Sequence, residues 1–304
     1  MKNLISILPF TLLCFLYWSC ASENTEKTFN KPATLGSEKV VVQKKERPYV
    51  EFDRKGNIKK LKEKISRGEP ISIHLRVPLC DNKNQGIVPV SKKLGNGLDL
   101  HNNLYWGAKY GVKNYFNNIS QWTLLESEKD LNDNILERVV FYREYSNKAR
   151  AYLIADAHRG DKMKDCLMDF MHAMSGRVNE EIVIEDETIK IGSNADLLVF
   201  NGHNGLMDYD IEFVETADEK VREISVIGCI SHNYFVDHLK HSMGYPLLMT
   251  TNLMAPEAYV LSSLIDAWIL LKEEEKIRTE VGKSYHKYQK CGLKGATRLF
   301  KTGW

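Results

Sequence analysis

The sequence predicts an α/β chain: a three-layer sandwich built around a mostly parallel sheet. Three observations point there. From Ile71 onward, short apolar runs alternate with helix-period segments, the pattern of strands buried on both faces and joined by crossover helices. No internal repeat or low-complexity tract competes with that order. Composition is that of a globular chain, 43% hydrophobic and 27% charged over 304 residues with 19 Gly and 8 Pro. The net charge of +2 gives no general reason to bind nucleic acid, and six cysteines do not make a disulfide scaffold.

The chain opens on an address. Met1-Lys2 is a short positive start, and the apolar run from Leu4 to Trp18 has signal-peptide length, short for a membrane span. Ser19-Cys20-Ala21 follows at once and resembles a bacterial lipoprotein box. That resemblance implies cleavage after residue 19, a palmitate-bearing lipid on Cys20, and a membrane partner on the extracytoplasmic side of a bacterial envelope. Residues 21–68 carry 13 Lys/Arg against 7 Asp/Glu, so a basic segment precedes a mildly acidic body. Most of this segment reads as a tether attracted to anionic lipid, with a short helix from Ile58 to Arg67 closed by Gly68 and Pro70. The expected organisation is therefore a signal over 1–20, tether and helix over 21–68, the α/β domain over 69–290 and a tail over 291–304.

Within the body, Ile71–Leu79 reads as a strand and Asn103–Phe116 as an aromatic helix with Tyr105, Trp106, Tyr110, Tyr115 and Phe116 near helical spacing. Strands follow at Trp122–Leu125, Arg138–Arg143 and Ala151–Ala155. An amphipathic helix spans Lys162–Met174 and a hairpin Glu181–Ile191. Ala195–Phe200, Ile224–Gly228 and Pro246–Thr250 are compact strands. Asn233–Ser242 is a helix, and Pro256–Arg278 reads as one long helix opened by a proline.

In parallel sheets ligands gather beyond the carboxyl ends of the strands. Here those ends carry Cys80-Asp81-Asn82; Asp156, His158, Arg159 and Asp161; Asn201-Gly202-His203-Asn204-Gly205 with Asp208; Cys229 with Ser231 and His232; and Thr251-Asn252. His203 and Cys229 end two strands that should be neighbours. An imidazole is the natural base for a thiol at neutral pH, so the pair is a candidate acid/base and nucleophile. Gly202 and Gly205 could let backbone N–H groups meet an oxyanion, as could the N–H of Cys229.

A strand ending in Gly-His (196–205) followed by a strand ending in cysteine (224–231) resembles the caspase-like cysteine peptidases of clan CD, which include the gingipains and legumains. Residues 246–268 fit that fold's last core unit. The resemblance implies cleavage of a peptide or protein substrate through a thioester, with no cofactor. Asp156, His158, Arg159, Asp161, Asp208 and Asn252 would then line the substrate pocket. Acidic residues there would favour a basic P1 side chain, and Arg159 an acidic one. Two other readings remain open. Asp156, His158, His203, Asp208 and His232 could serve a metal-dependent hydrolase, although none forms a fixed-spacing ligand motif. The same cleft could also belong to a non-catalytic lipoprotein that binds a ligand or protein. Cys80, another strand end, is a rival nucleophile, whereas Cys166 reads as core and Cys291 as peripheral.

Overall fold

The computed structural model describes residues 54–304. The expected signal over 1–20 with the lipidation candidate Cys20, and residues 21–53 of the expected tether, lie outside the described residues. Eight strands form one sheet. In chain order its strands are β1 (Pro70–Pro78), β2 (Thr123–Lys129), β3 (Ile135–Glu144), β4 (Arg150–His158), β7 (Leu197–Asn201), β8 (Arg222–Ile227), β9 (Gly244–Thr250) and β10 (Phe300–Lys301). A separate hairpin is made by β5 (Asn179–Ile184) and β6 (Glu187–Gly192). Across the sheet the order is β10-β9-β8-β7-β1-β4-β3-β2. β4, β1, β7, β8 and β9 run parallel, while β2, β3 and β10 are antiparallel additions at the two edges. The mostly parallel α/β sheet expected from the sequence is present.

The central strands are buried on both faces, although β1 carries Ser72, His74 and Arg76 on one of them, and the alternation of side chains sorts their apolar residues into two cores. Ile71, Ile73, Leu75 and Val77 face the layer formed by α1 (Lys55–Ser66), α2 (Val112–Asn118), α5 (Ala258–Ile269) and α6 (Glu274–Gln289). Leu198, Phe200, Ile224 and Val226 face α3 (Met163–Met174) and α4 (Ser231–Ser242), where Phe170 and Phe235 fill the gap. The β5–β6 hairpin continues this second layer by covering Val140, Tyr152 and Ile154. Among the described residues, no helix is long and apolar enough to cross a membrane.

Four local expectations change. The aromatic helix shrinks to α2, because the buried amide of Asn103 captures the backbone instead. Its Oδ1 accepts the N–H groups of Cys80 (3.1 Å) and Tyr105 (3.0 Å), and its Nδ2 donates to the carbonyl of Cys80 (2.8 Å). The long C-terminal helix breaks into α5 and α6: Leu271 turns left-handed, and the N–H groups of Leu271 and Lys272 return to the carbonyls of Trp268 and Ala267 in a Schellman closure. The supposed tail forms α7 (Leu293–Arg298) and then β10, which pairs Phe300 with Thr250 on the sheet edge. Helix α1 belongs to the body rather than the tether. Leu61 enters the core, Lys64 meets Asp196 at 2.6 Å, and Arg54, just before the helix, pairs with buried Glu223.

β1 sits where the winding reverses. The chain moves from β1 to β4 on one side and then through β7, β8 and β9 on the other. The carboxyl ends of β1 and β7 therefore diverge, and side chains following β1, β7 and β8 meet at one edge.

Candidate functional site

β7 and β8 are parallel neighbours, in register from Leu197 with Glu223 to Asn201 with Ile227. The ladder runs one residue further, through the Gly202 N–H to the Ile227 carbonyl at 3.1 Å, and then the loops carrying His203 and Cys229 part. Asn204 ties them together. Its Nδ2 donates to the Cys229 carbonyl at 2.8 Å, and its Oδ1 accepts the Leu206 N–H at 3.1 Å.

The imidazole of His203 is buried and oriented. Its Nε2 donates to Asp208 Oδ2 at 2.7 Å, and the same oxygen accepts the Gly86 N–H at 2.9 Å. A carboxylate at Nε2 fixes the proton there and leaves Nδ1 as the basic atom. Nδ1 is neither hydrogen-bonded among the described residues nor sealed from solvent. Asp208, expected in the substrate pocket, is hydrogen-bonded to the His203 ring. It reaches the ring because the single turn Gly205–Met207 reverses the chain after His203.

Cys229 is half-buried. Its Sγ lies 3.4 Å from both the carbonyl oxygen and the N–H nitrogen of Met254. That segment is pinned from two sides: the Ala255 N–H donates to Tyr285 Oη at 3.1 Å, and Asn201 Nδ2 donates to the Pro256 carbonyl at 2.9 Å. No hydrogen bond joins the thiol to the imidazole. Ile230, next to Cys229, adopts φ 50° and ψ 30°. A β-branched residue in the left-handed region is strained, and such strain gathers at functional turns. It bends the chain between β8 and α4, with the Ile230 N–H held by the Asn252 carbonyl at 3.0 Å. The backbone N–H groups of Asn204 and Cys229 have no acceptor among the described residues.

The remaining candidates divide. Gly202 cannot offer its N–H to an oxyanion, because Ile227 has taken it. Gly205 answers to packing: a Cβ there would come within 2.5 Å of Met163 Cγ. Asn252 stays at the edge, exposed beside the Cys229 turn. Arg159 and Asp161 pair with each other through two hydrogen bonds of 3.0 and 2.8 Å, so neither presents a free charge.

Asp156 and His158 are sealed inside the second layer and do not face a pocket. Asp156 takes two bonds from Arg138 (2.6 and 2.7 Å) and one from His74 Nε2 (2.9 Å). His74 Nδ1 accepts the Gly192 N–H at 2.9 Å, so the ring is neutral and the β5–β6 hairpin is bonded to the sheet. Arg138 and His74 outweigh burial and hold the Asp156 carboxyl far below its usual range.

His158 has no partner at either ring nitrogen, and burial pushes it down to about 4. The folded state thus prefers the neutral ring, while the unfolded ring titrates near 6.5. Its contribution to stability is complete above about pH 6.5 and lost as pH falls toward 4, a loss on the order of 3 kcal/mol. Thermal melts should therefore show a steeper acid-side fall in wild type than in His158→Leu. Parallel profiles would show that the ring finds a partner on protonation.

The rival thiols are set apart by burial. Cys80 is fully buried against Tyr105 and its thiol is pushed up to about 11, chiefly by burial. Cys166 is buried and raised for the same reason. Cys291 is exposed. His232, a candidate metal ligand, receives Lys301 Nζ at 2.8 Å. Among the described residues, no group of three or more His, Cys, Asp or Glu side chains is placed to hold a metal ion.

Sequence reading singled out His203 and Cys229 but missed Asn204 as the link, Gly86 as a support for Asp208, and the Met254 backbone beside the sulfur. Only Asn204 carried a usable signal, as a side chain able to cap a tight turn. No family model matches the chain, and comparisons with curated proteins and with solved structures find no match.

Proposed function

We propose that this chain is a cysteine-type hydrolase of peptide or amide bonds with a caspase-like arrangement of its dyad. The observation that carries the reading is the pair of adjacent strand tips, one ending in an imidazole oriented by Asp208 and the other in a half-buried thiol on a strained turn. In this reading His203 Nδ1 takes the Cys229 proton, and the thiolate attacks the carbonyl carbon. The oxyanion is met by the N–H groups of Asn204 and Cys229. His203 returns the proton to the departing amine, leaving a thioester, and then activates the water that releases the acid. The reading extends to a protein held at the extracytoplasmic face of a bacterial membrane through lipid on Cys20, with peptide or protein substrates.

One observation favours a second reading. The thiol hydrogen-bonds with Met254 rather than with the imidazole, as it would in a non-catalytic module that uses the cleft for binding. A panel of fluorogenic peptides with basic, acidic and neutral P1 groups separates the two. The hydrolase reading expects turnover of at least one class, reduced to background in Cys229→Ala and by about 10²–10⁴ in His203→Ala. Turnover of none leaves the binding module, whereas turnover that survives Cys229→Ala removes the Cys229–His203 dyad.

A further inference from the structure

A cavity of about 250 Å³ opens at the end of these strands opposite the Cys229 edge, between α1 and the amino-terminal ends of β7 and β8. Residues 222 to 229 span roughly 20 Å along β8, so this cavity is separate from the Cys229 edge. Its charged walls are unevenly matched. Asp196 is paired with Lys64 at 2.6 Å, Glu223 with Arg54, and Arg222 with Asp218 at 2.6 Å. Lys60 and Lys220, which also line it, have no carboxylate partner among the described residues. Lys220 is steadied across the wall, with Nζ 3.3 Å from Asn194 Oδ1, and Asn194 is held in turn by Asn179 at 2.8 Å. Ser193 Oγ accepts the Val178 N–H at 3.0 Å and keeps its own proton to give.

The cavity thus presents two ammonium groups and a hydroxyl donor, with its carboxylates already satisfied. The missing complement is a compact, acceptor-rich anion. We propose that the cavity binds a phosphate group, held by Lys60, Lys220 and Ser193 through charge-assisted hydrogen bonds. The volume equals that of several waters, room for a phosphate group. The phosphate could be carried by a soluble ester or by a lipid headgroup, and the two sources share this chemistry. The proposal does not depend on the hydrolase reading.

The test uses the full chain. Inorganic phosphate and glycerol 3-phosphate are titrated calorimetrically. In parallel, the protein is floated with phosphatidylcholine vesicles with and without phosphatidylglycerol. The double variant Lys60→Gln/Lys220→Gln should bind phosphate at least about tenfold more weakly, and Lys60→Arg/Lys220→Arg should retain binding. Both lysines are exposed and neither is in an ion pair among the described residues, so the variants should melt like wild type and their Cys229 should alkylate at the wild-type rate. Soluble binding lost in the glutamine variant supports a soluble phosphate ligand. Flotation dependent on phosphatidylglycerol and lost in that variant supports a headgroup. Binding equal in wild type and the glutamine variant, or absent in both arms, overturns the proposal.

Discussion

His203→Ala should slow the alkylation of Cys229 by iodoacetamide about tenfold at neutral pH. An ordinary thiol near pKa 8.5 is only a few per cent thiolate at pH 7, and the thiolate is the reacting form. Transfer of its proton to an imidazole raises that fraction, but the better-stabilised thiolate is a weaker nucleophile, so the gain in rate is smaller than the gain in thiolate. The protein supplies its own reference. Cys291 is exposed and far along the chain from the strand tips, whereas Cys80 and Cys166 are sealed. In wild type, Cys229 should outpace Cys291 despite its partial burial. In His203→Ala it should fall to the rate of Cys291 or below. Asp208→Asn should give an intermediate slowing, because the imidazole remains but its tautomer is no longer fixed from Nε2. Peptide mapping by mass spectrometry reads each cysteine separately. Equal Cys229 rates in wild type and His203→Ala would mean that the imidazole does not act on the sulfur, and the dyad would be withdrawn.

The parts of this molecule that were legible in the sequence depend on local pattern. β7 and β9 are short, mostly apolar runs, and β1 and β8 are rich in Ile and Val, a composition that fits strands covered on both faces. The site was legible for a related reason: a parallel sheet places every strand's carboxyl end on one edge, so residues following each run could be collected without knowing the strand order. What the sequence did not reveal is long-range or unsignalled. A charged residue at a strand end reads the same whether sealed or open. The fate of Asp156 was decided by Arg138 on β3 and His74 on β1, the latter 82 residues away. The break between α5 and α6 has no Gly or Pro to announce it, since Leu271 itself takes the left-handed position. Asp208 was nominated for its chemistry, but its bond to His203 was not foreseen. A five-residue return through a single turn has no periodicity to show which neighbour the carboxylate meets.

The reassignment of Asp156 predicts a large loss of stability without a specific loss of chemistry. Asp156→Ala leaves Arg138 without its bidentate partner and His74 Nε2 without an acceptor, both in the layer beneath the β5–β6 hairpin. Removing one member of a buried charged set costs about 3–5 kcal/mol, because the remaining charge stays desolvated. That is a large share of a typical domain's stability, so chemical denaturation should show a clear drop in midpoint. The sign with pH follows from the carboxyl being held below its usual range. The interaction is complete above the unfolded value near 3.9 and lost as pH falls below it, so the cost of Asp156→Ala should be full at pH 7 and shrink in acid. Asp156→Leu combined with Arg138→Met removes both charges and should recover much of the loss, since an apolar replacement leaves no ion unpaired. His74 keeps its Nδ1 bond to Gly192, so the hairpin should remain docked in that double variant. Where each variant is folded, Cys229 should alkylate as in wild type. A variant with an unchanged denaturation midpoint but altered cleavage preference would return Asp156 to the substrate pocket, the one outcome that sealed burial forbids.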